Sequence, residues 1–190
     1  MHGKALSKRA ESKTAQAAEE AALKKQVVEN NTNADNDAWS NKPSGKLEYN
    51  PNTIKENLSG QKTPIKPNAN AEEIRSLTRE NESAEILANY GNKVEQNPPT
   101  LPNGKNPDYI INGEVFDSYA PKSSSVRNIW SEVKGKIDEG QTRNVVINLA
   151  NTPVTVESLR EQFRKYPVDN LKKVIVINKA GYPFTIDLGQ

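Results

Sequence analysis

The chain has 190 residues, of which 34% are hydrophobic, a formal net charge of +2 and a mean hydropathy of −0.83. A composition this polar excludes one uniformly packed globule of the full length, so part of the chain is expected to lie outside any core. There is no cysteine, and the single histidine is His2 near the start. That excludes disulfides, a Cys-based zinc site and Ser-His or Cys-His catalysis in the body of the chain. No apolar run reaches the length of a membrane span, and no signal-peptide pattern follows Met1. Basic and acidic residues are evenly spread, so a nucleic-acid role would need a local basic cluster.

In chain order, residues 4–27 are rich in Ala, Lys, Glu and Gln, good helix formers that bury little surface. Residues 32–69 are dominated by Asn, Lys, Pro, Ser and Gly, with scattered apolar positions such as Trp39, Ile54, Leu58 and Ile65. They read as loop or weakly ordered chain. Asn70 with Glu73 forms a capping-box pattern, and Ile74, Leu77, Ala84, Ile86, Leu87 and Tyr90 follow at roughly helical spacing up to Gly91. The pattern weakens at Asn81-Glu82-Ser83, which leaves one helix or two. A short strand is expected over 93–96, then a Pro-rich loop. Strands over 108–111 and 114–119 flank Asn112-Gly113, one of the strongest short hairpin signals. A serine among 123–125 can cap the next helix, whose Val126, Ile129, Trp130, Val133 and Ile137 share one face. Strand candidates at 144–149, 173–178 and 182–188 follow, with a second amphipathic helix over 155–166.

Just past the hairpin, Asp117, Tyr119, Lys122, Ser123 and Arg127 gather a carboxylate, a phenol, an amine, a hydroxyl and a guanidinium. No Gly-rich phosphate cradle of either common pattern occurs. RNA brings its own nucleophile, the 2'-hydroxyl. A ribonuclease therefore needs a base, an acid and cations to hold the phosphorane charge, and requires neither histidine nor metal. Asp117, Lys122, Arg127 and Arg143 supply those types as catalytic candidates. Tyr119, Ser123 and Thr155 are candidate substrate contacts, Thr155 having helix N-cap as its alternative role.

Val28-Glu29-Asn30-Asn31 follows the Ala/Lys/Glu-rich stretch and precedes a self-contained unit. It resembles the junction before the variable C-terminal toxin region of CdiA proteins, the large surface effectors of contact-dependent growth inhibition. The segments NESAEILANYG, NPDYIINGEVFDSYAP and RNIW look like the tRNA-cleaving CdiA toxin domains. The order of elements resembles small bacterial ribonucleases of the barnase/EndoU/colicin/RelE superfamily. The resemblance implies an α+β fold, a small twisted antiparallel sheet of five or six strands with helices packed on it. It implies an upstream remnant over 1–31, a linker or cell-entry segment over 32–69, and a nuclease domain over 70–190. It further implies cleavage of tRNA by metal-independent 2'-hydroxyl attack with no cofactor. A cognate immunity protein, CdiI, would block the enzyme, and some such toxins need a target-cell activator. The chain would be secreted or displayed on the cell surface within a larger effector and act in the target-cell cytoplasm. Two alternatives stand beside this. Pro107-Asp108 with Asp117-x-Tyr119 resembles the metal-dependent PD-(D/E)xK nuclease pattern, with Tyr119 in the lysine's place. The chain could also be a non-enzymatic adhesin or binding fragment.

Overall fold

The structure, a computed structural model, describes residues 49–188. The helix expected over 4–27, the VENN junction at 28–31 and the first part of the 32–69 segment lie outside the described residues. The elements run α1 (Pro51–Asn57), β1 (Leu58–Gly60), α2 (Ala71–Asn89), β2 (Val94–Gln96), β3 (Tyr109–Ile111) and β4 (Glu114–Tyr119). They continue with α3 (Val126–Asp138), β5 (Asn144–Asn148), α4 (Val156–Lys165), β6 (Lys173–Ile177) and β7 (Pro183–Ile186).

The expected α+β character holds, with two differences. One sheet of seven strands runs in the order β1-β2-β3-β4-β5-β6-β7. The additional strand, β1, comes from the segment expected as linker. The sheet is also mixed, because β1–β2, β4–β5 and β5–β6 are parallel pairs. A parallel return needs a crossover of a dozen or more residues. Helices α3 and α4 lie between β4 and β5 and between β5 and β6, so those pairs are parallel.

Helices cover both faces. Ile129, Val133 and Ile137 of α3, with Leu159 and Phe163 of α4, pack on Val145, Ile147, Val174 and Val176. On the opposite face α2 brings Ala84, Leu87 and Ala88 against Val94, Tyr109, Ile111, Phe116 and Val146. Strand β5 is buried along its whole length. A strand covered on both faces reads as a continuous apolar run, as Val145-Val146-Ile147 does.

Helix α2 begins at the predicted capping box of Asn70 and Glu73 and continues unbroken through 81–83. The apolar pattern lapses there because the helix face is buried against polar partners. Asn81 Nδ2 donates to the Thr63 carbonyl at 3.1 Å, and its Oδ1 accepts from Thr63 N at 2.9 Å and Gln96 Nε2 at 2.6 Å. Ser83 Oγ accepts from Asn148 Nδ2 at 3.0 Å. The hairpin forms as expected: Asn112 and Gly113 both have positive φ, at 50° and 84°, as a type I' turn demands.

Gly60 ends β1 at φ +80°, and a Cβ there would meet the Gln96 carbonyl oxygen at 1.9 Å. The left-handed backbone and the collision with a neighbouring strand act together. Gly60→Ala is therefore expected to destabilise the domain by roughly 2–4 kcal/mol. Urea unfolding would measure it, and an unchanged midpoint would mean that β1 does not pair with β2 in solution.

Candidate active site

The hairpin places two carboxylates face to face. Tyr109 pairs with Phe116 across β3 and β4, and one step further along the same register sets Asp108 opposite Asp117. Tyr109 and Phe116 point into the core under α2, so their neighbours turn to the other face, toward α3. The Ser118 amide donates to Asp108 Oδ2 at 2.7 Å and anchors that side chain across the pair.

A third carboxylate comes from α2. Glu80 is buried, and its Oε1 accepts a hydrogen bond from the Thr63 hydroxyl. Thr63 Oγ1 in turn accepts from Asn97 Nδ2 at 2.8 Å, and the Tyr109 hydroxyl donates to the Glu80 carbonyl at 2.6 Å. The chain just before α2, expected as linker, thus holds one of the site's acidic groups.

All three are raised, two of them partly by a neighbouring carboxylate. Burial pushes the Asp117 carboxyl up to about 6, and the Asp108 charge adds to it. The charges of Lys136 and Lys105 and the Asp108 backbone oppose that rise. Burial, then the charges of Asp108 and Asp117, carries Glu80 up to about 7. Asp108 is raised by burial, against the Ser118 hydrogen bond and the Lys136 charge. Lys136, half-buried in the last turn of α3, is thus the ammonium that offsets both hairpin carboxylates. Strongly shifted titratable groups gathered in one place mark a functional site with a stated physical cause.

Of the predicted catalytic residues, only Asp117 lies in this cluster. Lys122 is exposed and pairs with Glu72 at 2.7 Å. That lysine and Arg75, whose hydrogen bond contributes most, hold the Glu72 carboxyl down at about 2. Arg127 is exposed in the first turn of α3. Arg143 is exposed at the entrance to β5, where its carbonyl accepts from Lys172 N at 2.8 Å.

Among the predicted substrate contacts, Tyr119 packs against the α3/α4 core and burial raises its hydroxyl to about 12. Ser123 Oγ accepts from Ser125 N at 3.1 Å, and its carbonyl accepts from Thr152 Oγ1 at 2.6 Å. Thr155 is the N-cap of α4, accepting from Ser158 N at 3.2 Å, the alternative role open to it in the sequence. Ser123 and Thr155 are thus engaged in turn and cap hydrogen bonds.

Sequence reasoning named Asp108 only in the metal-nuclease alternative and missed Glu80, Lys105 and Lys136. A signal existed for two of these. Lys136 stands seven residues after Ile129, about 20° from it around the helix and so inside the apolar stripe of α3. Glu80 stands seven before Leu87 and four before Ala84, on the apolar stripe of α2. A charge on a buried stripe is where function is to be sought.

Residues 105–182 match the family described as the contact-dependent growth inhibition CdiA C-terminal domain. The chain is 44% identical, over 156 residues, to tRNA nuclease CdiA-2 of Burkholderia pseudomallei strain 1026b. That match takes in 82% of this chain and 5% of the relative, so the chain spans about one-twentieth of that protein's length. A solved structure, the CdiA-CT/CdiI toxin and immunity complex from Burkholderia pseudomallei, is similar with a TM-score of 0.66 at 47% identity. It covers 68% of this chain and 97% of the solved one. The chain belongs to the CdiA C-terminal toxin domain family.

Proposed function

We propose that this chain is the nuclease toxin domain of a contact-dependent growth inhibition effector, an endoribonuclease that cleaves tRNA in the target-cell cytoplasm. The nuclease unit takes in the short helix α1 and the edge strand β1, so it begins upstream of the expected start at 70. A cognate CdiI-type immunity protein neutralises it. The names of the similar proteins support the substrate class and the partner. The observation that carries the chemistry is the facing pair Asp108 and Asp117 on one hairpin, with Lys136 reaching them from α3.

A phosphodiester is an anion, and a carboxylate cluster repels it unless cations intervene. Lys136 supplies one fixed positive charge where charge develops on the phosphorus oxygens. Asp117, with its pKa of about 6, is ionised at neutral pH, and with no cation bound it is basic enough to take a proton from an attacking hydroxyl. Glu80, poised near 7, can hold or release a proton beside it.

Among the described residues, no three metal-ligating side chains cluster tightly enough to form a cage. Mg2+ does not require one, since it is commonly held through one or two carboxylates, waters and a substrate phosphate. The hard oxygens of Asp108 and Asp117, negative and incompletely neutralised by lysine, fit that donor set. When bound, the ion would supply Lewis-acid polarisation of the phosphate and a more acidic water. The geometry therefore favours metal-assisted hydrolysis, with Lys136 as the lysine that Tyr119 displaces from the hairpin. The poised Glu80 supports a second reading, the metal-independent 2'-hydroxyl route.

Incubating the protein with total tRNA, with and without a target-cell extract, tests both. The expected result is cleavage lost in EDTA, restored by Mg2+, and leaving no 2',3'-cyclic phosphate ends. EDTA-resistant cleavage with cyclic ends would replace the first reading by the second. No cleavage of RNA under any condition would leave the adhesin or binding alternative.

A further inference from the structure

A cleft of about 800 Å3 opens beside the carboxylate site, where the end of α3 meets the starts of β4, β5 and β6. Its charged lining comprises Lys105, Arg143, Lys172 and Lys173, with Glu114 and Asp138. Both acids are already paired. Glu114 accepts from Lys173 at 2.7 Å, and Asp138 is bonded to Lys134. Lys105, Arg143 and Lys172 remain as cations with no ion pair among the described residues. The main-chain bond from Lys172 to Arg143 keeps two of them side by side.

The cleft is continuous with the proposed chemistry. Val115 forms part of its wall and lies two residues before Asp117 on β4. The two share one face of the strand, about 7 Å apart. Lys105 lines the cleft and its charge also acts on Asp117. A surplus of three positive charges thus adjoins a cluster of three carboxylates, an arrangement suited to a ligand with anionic groups at regular intervals.

We infer that this cleft is the subsite for the ribose-phosphate backbone flanking the bond to be cut, holding one or two neighbouring phosphates. The inference rests on the nuclease reading above and adds to it where the strand runs. Cations on a polynucleotide backbone position the chain without reading sequence.

The test uses the full chain with Asp117→Asn to prevent cleavage, a fluorescent single-stranded RNA, and binding measured by anisotropy across a salt series. Adding Arg143→Ala and Lys172→Ala is expected to weaken binding about tenfold or more at low salt. It should also lower the slope of log affinity against log salt by about 1.4, two released contacts at about 0.7 each. Arg164→Ala with Lys165→Ala, an equal charge loss on the exposed end of α4, should leave the slope unchanged. Thermal melts confirm that each variant folds. An unchanged slope in the Arg143/Lys172 variant overturns the subsite, even if the wild type cuts RNA. A lowered slope in a protein whose wild type cuts nothing keeps the subsite and removes the nuclease reading. If that variant binds RNA normally but loses the immunity protein, the cleft is a protein interface and the inference fails.

Discussion

Asp117→Asn is expected to reduce RNA cleavage by about a thousandfold or more while making the protein harder to unfold. The amide keeps the size of the side chain and one acceptor oxygen, but it can neither take a proton nor offer a full charge to a cation. The stability effect follows from the same ionisation. The folded-state pKa of Asp117, about 6, lies above the ordinary carboxylate value, so the native state holds the proton more tightly than the unfolded chain. The penalty grows as pH rises through the window from about 4 to 6 and is fully present at pH 7. Removing the charge also eases Glu80, whose own rise includes repulsion from Asp117. After allowance for solvent screening, a gain of about 1–2 kcal/mol at pH 7.5 corresponds to a Tm higher by about 3–6 °C. The difference from wild type should narrow at pH 5. Retained cleavage, or a lower Tm at every pH, would remove Asp117 from the role given to it.

Lys136→Met should abolish cleavage to a similar degree, by about 10²–10⁴-fold, but with the opposite effect on stability. Methionine fills the same slot against the apolar face of α3 and discards only the ammonium. Asp108 and Asp117 then lose the charge that opposes their raised pKa values. The domain should lose about 1–2 kcal/mol at pH 7.5 and recover part of it at pH 5, below the raised pKa of Asp117. Combining the change with Asp117→Asn should cost less stability than Lys136→Met alone, a coupling that a double-mutant cycle reads directly. Lys136→Arg should fold normally and cleave poorly, because a planar fork does not replace a point charge. Simple additivity in the cycle would mean that Lys136 and Asp117 do not interact.

The sequence exposed most of the strand and helix pattern. Asn112-Gly113 marked the hairpin, Asn70 and Glu73 marked the start of α2, and the stripes of α3 and α4 were plain. These signals are local, set by turn chemistry, capping and periodicity. Pairing across the sheet is not local. The helices between β4, β5 and β6 already demanded parallel neighbours, yet the superfamily resemblance drew the expectation to an antiparallel sheet. β1 escaped because three residues carry little pattern, and only its pairing with Val94–Gln96 makes it a strand.

The candidate site was half legible for a related reason. Asp117 was visible because it stands beside the strongest turn in the chain. Lys122 and Arg127 are nearer in sequence, but the loop carries Lys122 to Glu72 at the start of α2. The residues that reach Asp117 come from the last turn of α3 and the middle of α2. Proximity along the chain was a poor guide here, and a charge inside an apolar stripe was the better one.

Thr63 and Gly60 bear on how such toxin regions can be exchanged between effectors. A recombination joint placed at Asn70 would bring in every proposed catalytic side chain and would still deliver a damaged enzyme. It would leave the edge of β2 unpaired and open to association with other chains. It would also strip Asn81 and Gln96 of their bonds to Thr63 and release Glu80 from the hydroxyl that fixes it. A joint upstream of Tyr49 carries the strap with the site it supports. The structure that supports the proposed site is therefore longer than the stretch proposed to do the chemistry, and the excess is the short helix, edge strand and threonine that precede α2.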